Sequence, residues 1–96
     1  MSRNRFLVTY DITADRRRDR VFKALKDVGD HLQYSVFMCD LNEREYIQLR
    51  VRLRERINAN EDQVLIIDLG PSERETVERV EAMGLALGKP QRVQIV

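Results

Sequence analysis

The fold is decided by one segment, residues 5–12, which reads RFLVTYDI. It is rich in β-branched and aromatic side chains, which favour a buried strand. Directly after it comes Asp15, whose side-chain oxygen can accept from the free N–H groups of a first helical turn. The segment therefore predicts a strand that ends at Asp11–Ile12 and a helix that begins at Asp15.

That helix is predicted to run from Asp15 to about Val28. Val21, Leu25 and Val28 recur at i, i+4 and i+7, which is the spacing of one buried helix face. Gly29 follows at the position where a helix C-terminus favours a left-handed residue. The pattern predicts one amphipathic helix with Gly29 as its C-terminal cap.

The next stretch, residues 32–41, is too long for one simple strand with one face in the core. Its alternation predicts either a single strand bent near Ser35 or two short strands in a tight hairpin. Asn42 and Glu45 then form a capping box that opens a second helix. The stripe predicted to be buried consists of Tyr46, Leu49, Leu53 and Ile57, and the outer face carries Arg44, Arg50, Arg52, Arg54 and Arg56.

A further strand is predicted at residues 64–69, buried on both faces. The resulting order, β-α-β(β)-α-β, is the ferredoxin-like α+β pattern, an antiparallel sheet with two helices on one face. The strands are apolar on both sides, so the face without helices also needs a cover. We expect a second copy of the chain to provide it, in a homodimer.

The whole chain, residues 1–96, is predicted to be a single domain with a core at about 5–69 and an extension at 70–96. Within the extension, Ser72 and Glu75 can open a helix, whereas Val80, Ala82 and Gly84 alternate as in a strand, so both readings of 73–83 stay open. Arg92–Val96 predicts a closing strand.

Composition and charge restrict the class of protein. Net charge is +1, but residues 1–54 hold twelve Lys/Arg against eight Asp/Glu and residues 55–96 hold five against eight. A basic N-terminal half is compatible with an anionic partner. No apolar run approaches the roughly 18 residues of a membrane helix, and the single Cys39 cannot form an internal disulfide. We expect a cytoplasmic protein with no membrane association.

Few residues are suited to catalysis. One histidine and one cysteine make a zinc cluster unfavourable, and there is no glycine-rich phosphate loop. Asp11 remains, at the end of the first strand. It either caps a loop or pairs with an arginine, or it is a ligand for a hard metal such as Mg²⁺ or Mn²⁺.

Four arginines lie at the start of the first helix, where the helix dipole disfavours cations. Such a conflict often marks a functional site, and guanidinium groups match phosphate oxygens. The alternative is a solvated face with i,i+4 ion pairs. Phe37 is similarly open between a core position and a platform for a stacked base. The four residues are Arg16, Arg17, Arg18 and Arg20.

Taken together, these residues resemble the signature of the CRISPR-associated Cas2 family. The signature passes in order through Tyr10-Asp11-Ile12, the segment Arg18-Asp19-Arg20-Val21, Gly29 and the run Gln33-Tyr34-Ser35-Val36-Phe37. Residues 62–69 match its later strand. The resemblance covers about residues 5–69 closely and the tail loosely.

The resemblance implies a homodimer with its two sheets face to face and the final strand of each subunit on the partner's sheet edge. It implies that the two copies of Asp11 share one Mg²⁺ or Mn²⁺ ion at the dyad, with Tyr10 beside Asp11 in the catalytic site. It also implies nucleic-acid contacts by Arg18, Arg20, His31, Ser35 and Phe37. His31 replaces a basic residue of the family, and Met38 replaces a glutamate found in many members.

The function implied is CRISPR spacer acquisition. The dimer would hold a DNA duplex between dimers of the Cas1 integrase, and would act as a magnesium-dependent endonuclease on duplex DNA or single-stranded RNA. The alternatives are a non-enzymatic adaptor that bridges DNA, a toxin-like RNA-cleaving relative and, more remotely, a small-molecule sensor of the same fold.

Overall fold

A computed structural model describes residues 2–72 and 80–85 of the chain. Its elements are β1 (Asn4–Asp11), α1 (Asp15–Lys26), β2 (Gly29–Gln33), β3 (Val36–Leu41), α2 (Glu43–Arg56) and β4 (Gln63–Pro71). The strands form one antiparallel sheet in the order β2-β3-β1-β4, which confirms the ferredoxin-like α+β fold. The predicted strand at Arg92–Val96 and the segment 73–79 lie outside the described residues, and residues 80–85 are neither helix nor strand.

The central strand β1 divides the molecule into two sides. Its residues Phe6, Val8 and Tyr10 are buried in the core, whereas the alternate residues face away from the helices. Phe37 of β3 is fully buried in the same core, so its ring is a core ring and not an exposed stacking platform. The core also contains Ile12, Val21, Ala24, Leu25, Cys39, Leu41, Leu49 and Leu53.

Helix α1 begins at Asp15 as predicted, but Asp15 is not its N-cap and the helix ends earlier than expected. Ala14 occupies the N-cap position without a side-chain cap bond, and Asp15 is the first helical residue. The Asp15 carboxylate is instead drawn to the Arg18 guanidinium one turn later. At the other end, α1 stops at Lys26, so the predicted extension to Val28 is wrong.

Gly29 is not a helix cap but the first residue of β2. Positive φ angles within the described residues occur at Gly70 and Gly84, so Gly29 has an ordinary backbone conformation. A Cβ at Gly29 would lie 2.6 Å from Cys39 Sγ and 2.8 Å from the carbonyl oxygen of Met38. The glycine is therefore required by the close approach of β3 and not by a left-handed turn.

The structure decides the open question at residues 32–41 in favour of a hairpin. Strands β2 and β3 are joined by a turn at Tyr34 and Ser35, and the Ser35 carbonyl accepts a hydrogen bond of 3.1 Å from the Tyr10 N–H. The capping box of α2 is confirmed, because Asn42 and Glu45 exchange hydrogen bonds of 2.8 and 2.9 Å. The predicted stripe of α2 packs against the core.

The burial of β4 differs from the prediction. Val64 and Ile66 pack against the core, but Leu65 and Ile67 remain 48% and 41% exposed. The expected burial on both faces is therefore wrong for a single chain, because both helices cover the same side of the sheet. Within the described residues, no helix is long and apolar enough to cross a membrane.

Candidate functional site

The end of β1 carries the two residues assigned to catalysis, and the strand separates them. Tyr10 is buried on the helix side, whereas Asp11 is exposed and points to the opposite side, since successive strand residues alternate. Asp11 lies opposite Gln63 of β4 in the sheet register. Among the described residues, its carboxylate accepts no hydrogen bond and forms no ion pair. It is thus neither a loop cap nor an arginine partner there.

Arg18 is engaged just beyond this strand end. Its Nη1 donates to the carbonyl oxygens of Ile12 and Thr13, both at 3.1 Å, and its Nη2 pairs with Asp15. These bonds tie α1 to the loop that follows Asp11. In this structure, Arg18 therefore fixes the β1–α1 loop and has little remaining capacity for a phosphate.

Arg17 is also engaged. Its guanidinium donates to both carboxylate oxygens of Asp62, at 2.7 and 3.1 Å, and to Glu61 at 3.3 Å. The hydrogen bond from Arg17 lowers the pKa of Asp62 below 3.8, with help from the Asn58 N–H, and the same bond raises the pKa of Arg17. The Asp62 side chain is only 1% exposed. Arg17 thus joins α1 to the turn before β4.

Arg16 and Arg20 differ from these two arginines. Both are exposed on α1, and neither forms an ion pair or side-chain hydrogen bond with another described residue. Of the four arginines predicted to bind nucleic acid, these two are available to a phosphate backbone as the structure stands.

His31 and Tyr10 meet on the helix side. The His31 ring stacks on Phe37 at 4.7 Å and contacts the Phe22 ring edge-on at 5.0 Å. The Tyr10 ring lies 6.4 Å from Phe37. Burial raises the pKa of the Tyr10 hydroxyl, against the opposing effect of the Arg18 guanidinium. The predicted site is therefore two sites, with Asp11 on one side of the sheet and Tyr10, Arg18 and His31 on the other.

The donor set for a metal is small. No group of three or more His, Cys, Asp or Glu side chains converges within residues 2–72 and 80–85. A free carboxylate such as that of Asp11 still suits Mg²⁺, which is commonly held by one or two carboxylates together with substrate phosphates. Asp11 is thus a ligand of the appropriate chemistry that does not belong to a preformed cluster of three or more within the described residues.

Sequence reasoning missed one feature of the helix side. Tyr34 was placed among the alternating strand residues, but it occupies the hairpin turn and is 83% exposed. An aromatic residue beside a small polar residue, between two short strands, was the available signal for an exposed turn.

Comparison with known proteins shows which family the chain resembles. The family model for CRISPR associated protein Cas2 matches residues 4–77. A protein of Geobacter sulfurreducens named CRISPR-associated endoribonuclease Cas2 is 44% identical over 68 residues, which are 71% of this chain and 72% of the relative. A Rhodospirillum rubrum protein named CRISPR-associated endoribonuclease Cas2 1 is 35% identical over 91 residues, 95% of this chain and 88% of the relative.

Two solved structures share the fold. A hypothetical protein from Thermus thermophilus aligns with a TM-score of 0.77 and 31% identity, over 93% of this chain and 99% of that one. Cas2 of Streptococcus pyogenes, crystallised at pH 6.5, aligns with a TM-score of 0.75 and 30% identity, over 83% and 99%. Fold and sequence therefore define a small ferredoxin-like protein of the CRISPR machinery. The chain belongs to the Cas2 family, which is involved in CRISPR adaptation, and the resemblance seen in its sequence is confirmed.

Proposed function

We propose that this protein acts in spacer acquisition as a homodimer that binds nucleic-acid backbone and cleaves phosphodiester bonds with a divalent metal ion held by Asp11. The observation that carries the proposal is the exposed carboxylate of Asp11 at the end of β1, which has no partner among the described residues and lies on the side of the sheet that α1 and α2 leave open.

The dimer is supported by the apolar surface around that carboxylate. Leu65 and Ile67 are nearly half exposed, and their register partners Thr9 and Leu7 lie on the same side of β1. A two-fold axis through this side would bury the same surface on both copies. With the axis near the end of β1, the two Asp11 carboxylates would approach each other, and a dication would relieve their repulsion.

In this proposal, each residue of the site has a separate role. A bound Mg²⁺ or Mn²⁺ ion would activate water and stabilise charge on the phosphate. Arg16 and Arg20, free on the exposed face of α1, would contact phosphate oxygens. Arg18 is a positioning residue, because it fixes the loop that follows Asp11. Tyr10 anchors the strand end in the core from the opposite side.

The same surfaces accommodate the proposed partners. A duplex that lies along the start of α1 would meet Arg16 and Arg20 from both subunits, and the Cas1 integrase would hold its ends. Membership of the Cas2 family supports these partners.

A second candidate function is a non-enzymatic adaptor that bridges DNA. It is favoured by the small donor set, since Asp11 belongs to no group of three or more His, Cys, Asp or Glu side chains within the described ranges. Met38 on β3, where a glutamate is common in the family, adds none.

A cleavage assay separates the two functions. Wild type with Mg²⁺ should cut single-stranded RNA or duplex DNA, whereas chelation of the metal or Asp11→Asn should reduce the rate to background, because the amide keeps the shape and loses the charge that the metal needs. Asp27→Asn, at an exposed carboxylate just after α1 that is paired with Arg52, is the matched control and should remain active. Full metal-dependent activity in Asp11→Asn would exclude Asp11 as the ligand. A wild type that binds duplex but cuts neither substrate would establish the adaptor.

A further inference from the structure

We propose that a cleft on the helix side of the sheet, beside α1 and the β2–β3 turn, binds an unpaired nucleobase. It is lined by Tyr10, Asp15, Arg18, Asp19, Phe22, His31 and Tyr34. The inference rests on the proposed handling of nucleic acid and adds a second binding site, on the opposite side of the sheet from Asp11.

The walls of this cleft are aromatic. The His31 ring is held between Phe37, on which it stacks with an interplanar angle of 26°, and Phe22, which it meets at 89°. Tyr34 stands on the turn above it with 83% of its surface exposed. An aromatic ring at a turn can stack on any base, because every base presents a π-face. Tyr34 therefore offers a stacking surface that the core does not use.

The Tyr10 side chain lines the cleft and provides a polar group, its hydroxyl. The Tyr10 residue is only 6% exposed, yet its hydroxyl has no hydrogen-bond partner among the described residues and is not sealed from solvent. Burial raises the pKa of this hydroxyl, so it stays protonated at neutral pH and can donate a hydrogen bond. The carboxylate oxygens of Asp15 and Asp19 at the rim are acceptors that suit the exocyclic amino groups of a base.

The charge of the lining favours a base over a phosphate. Asp15 is paired with Arg18 and Asp19 with Lys23, and the Arg18 guanidinium already donates to two carbonyl oxygens, so the lining offers little positive charge to a phosphate. The volume of about 220 Å³ is also below the roughly 300–1,000 Å³ of pockets that enclose drug-sized ligands. A nucleobase is a single flat ring system with polar edges, so it suits both the charge of the lining and the small volume of the cleft.

The test uses single-stranded oligonucleotides that contain 2-aminopurine, whose fluorescence is quenched when the base stacks. Wild type should quench the emission on binding. Tyr34→Ala should lose the quenching and bind about 5- to 150-fold more weakly, which is the range for loss of one base–aromatic stack. Tyr34→Phe should retain both. Ile47→Ala, at a half-exposed apolar residue on α2, is the control for a change elsewhere on the surface.

Two further arms define the ligand. The same sequence as a duplex should show no further quenching when the protein binds, because its bases are already stacked and paired. 2-Aminopurine nucleoside monophosphate shows whether the cleft takes a free nucleotide as well as a base within a strand, and quenching of the single-stranded oligonucleotide supports the cleft whether or not the nucleotide is quenched. Equal affinity and quenching by wild type and Tyr34→Ala would overturn the inference while duplex binding through Arg16 and Arg20 stands. Loss of binding to every nucleic acid would overturn the proposed function and the cleft with it.

Discussion

On the helix side of the sheet, Val8 and Phe37 have no exposed surface, whereas on the open side Leu65 and Ile67 keep 48% and 41% of theirs. Both sides are built from alternate residues of the same strands. The helix side is completed by α1 and α2, and its polar groups are largely paired within the chain. Among residues 2–72 and 80–85, nothing covers the apolar side chains of the open side or pairs with its carboxylate, Asp11. The helix side therefore contains the core that stabilises a single chain. The open side carries the groups that are suited to association and to chemistry.

The largest effect should come from the helix side. Phe37→Ala removes a fully buried ring and should lower the free energy of unfolding by about 3–5 kcal/mol, as large core truncations do. Leu65→Ala on the open side should cost less, and its cost should grow with protein concentration, because it acts on the dimer. Urea unfolding of both variants at several protein concentrations measures this. Equal, concentration-independent losses would remove the distinction between the two sides.

An effect of intermediate size is expected on the salt dependence of duplex binding, where Arg16 and Arg20 should differ from Arg17. Arg16→Ala and Arg20→Ala should each reduce the slope of log affinity for duplex DNA against log salt by about one, or nearer two if both copies in a dimer touch the same duplex. Arg17→Ala should leave the slope unchanged, because its guanidinium is held by Asp62 and Glu61. Binding measured over a salt series decides this, with circular dichroism as a check on folding. A flattened slope in Arg17→Ala alone would place the duplex elsewhere.

The smallest effect should come from the ion pair that Arg17 forms on the helix side. Its hydrogen bond lowers the pKa of Asp62 in the folded state, so the stability it supplies is present above the ordinary value of 3.8 and is lost as pH falls through the lowered pKa. Arg17→Met should therefore melt below wild type at neutral pH, and the difference in melting temperature should shrink below about pH 4. A constant difference from pH 7 to pH 3 would show that the pair contributes nothing through Asp62.

Local patterns predicted much of the fold. The α2 capping box and stripe follow from residues three or four apart, whereas alternation left both a bent strand and a hairpin open at residues 32–41, and the structure shows the hairpin. The prediction that Gly29 caps a helix was wrong, because the need for glycine there comes from the close approach of Cys39 and Met38 on another strand. β4 looked buried on both faces because composition does not reveal which side the helices cover.

The candidate site was predictable in part. The sequence marked Asp11 correctly as an unusual carboxylate at a strand end, but it gave no sign that Arg17 reaches Asp62, 45 positions away. The placement of Tyr10 and Asp11 on opposite faces could have been predicted from the sequence, since neighbours in a strand point to opposite faces. The signature placed them together because they are adjacent in sequence.

The account depends most on the open side being an interface between two copies, and sedimentation equilibrium at micromolar concentration tests this directly. Ile67→Asp puts a charge on the open side, while Val51→Asp puts the same charge at a residue of similar exposure on α2, 47% against 41%. Wild type and Val51→Asp should sediment at twice the chain mass of 11.3 kDa, and folded Ile67→Asp should sediment at 11.3 kDa. A monomeric wild type, or an Ile67→Asp variant that remains fully dimeric, would contradict the account.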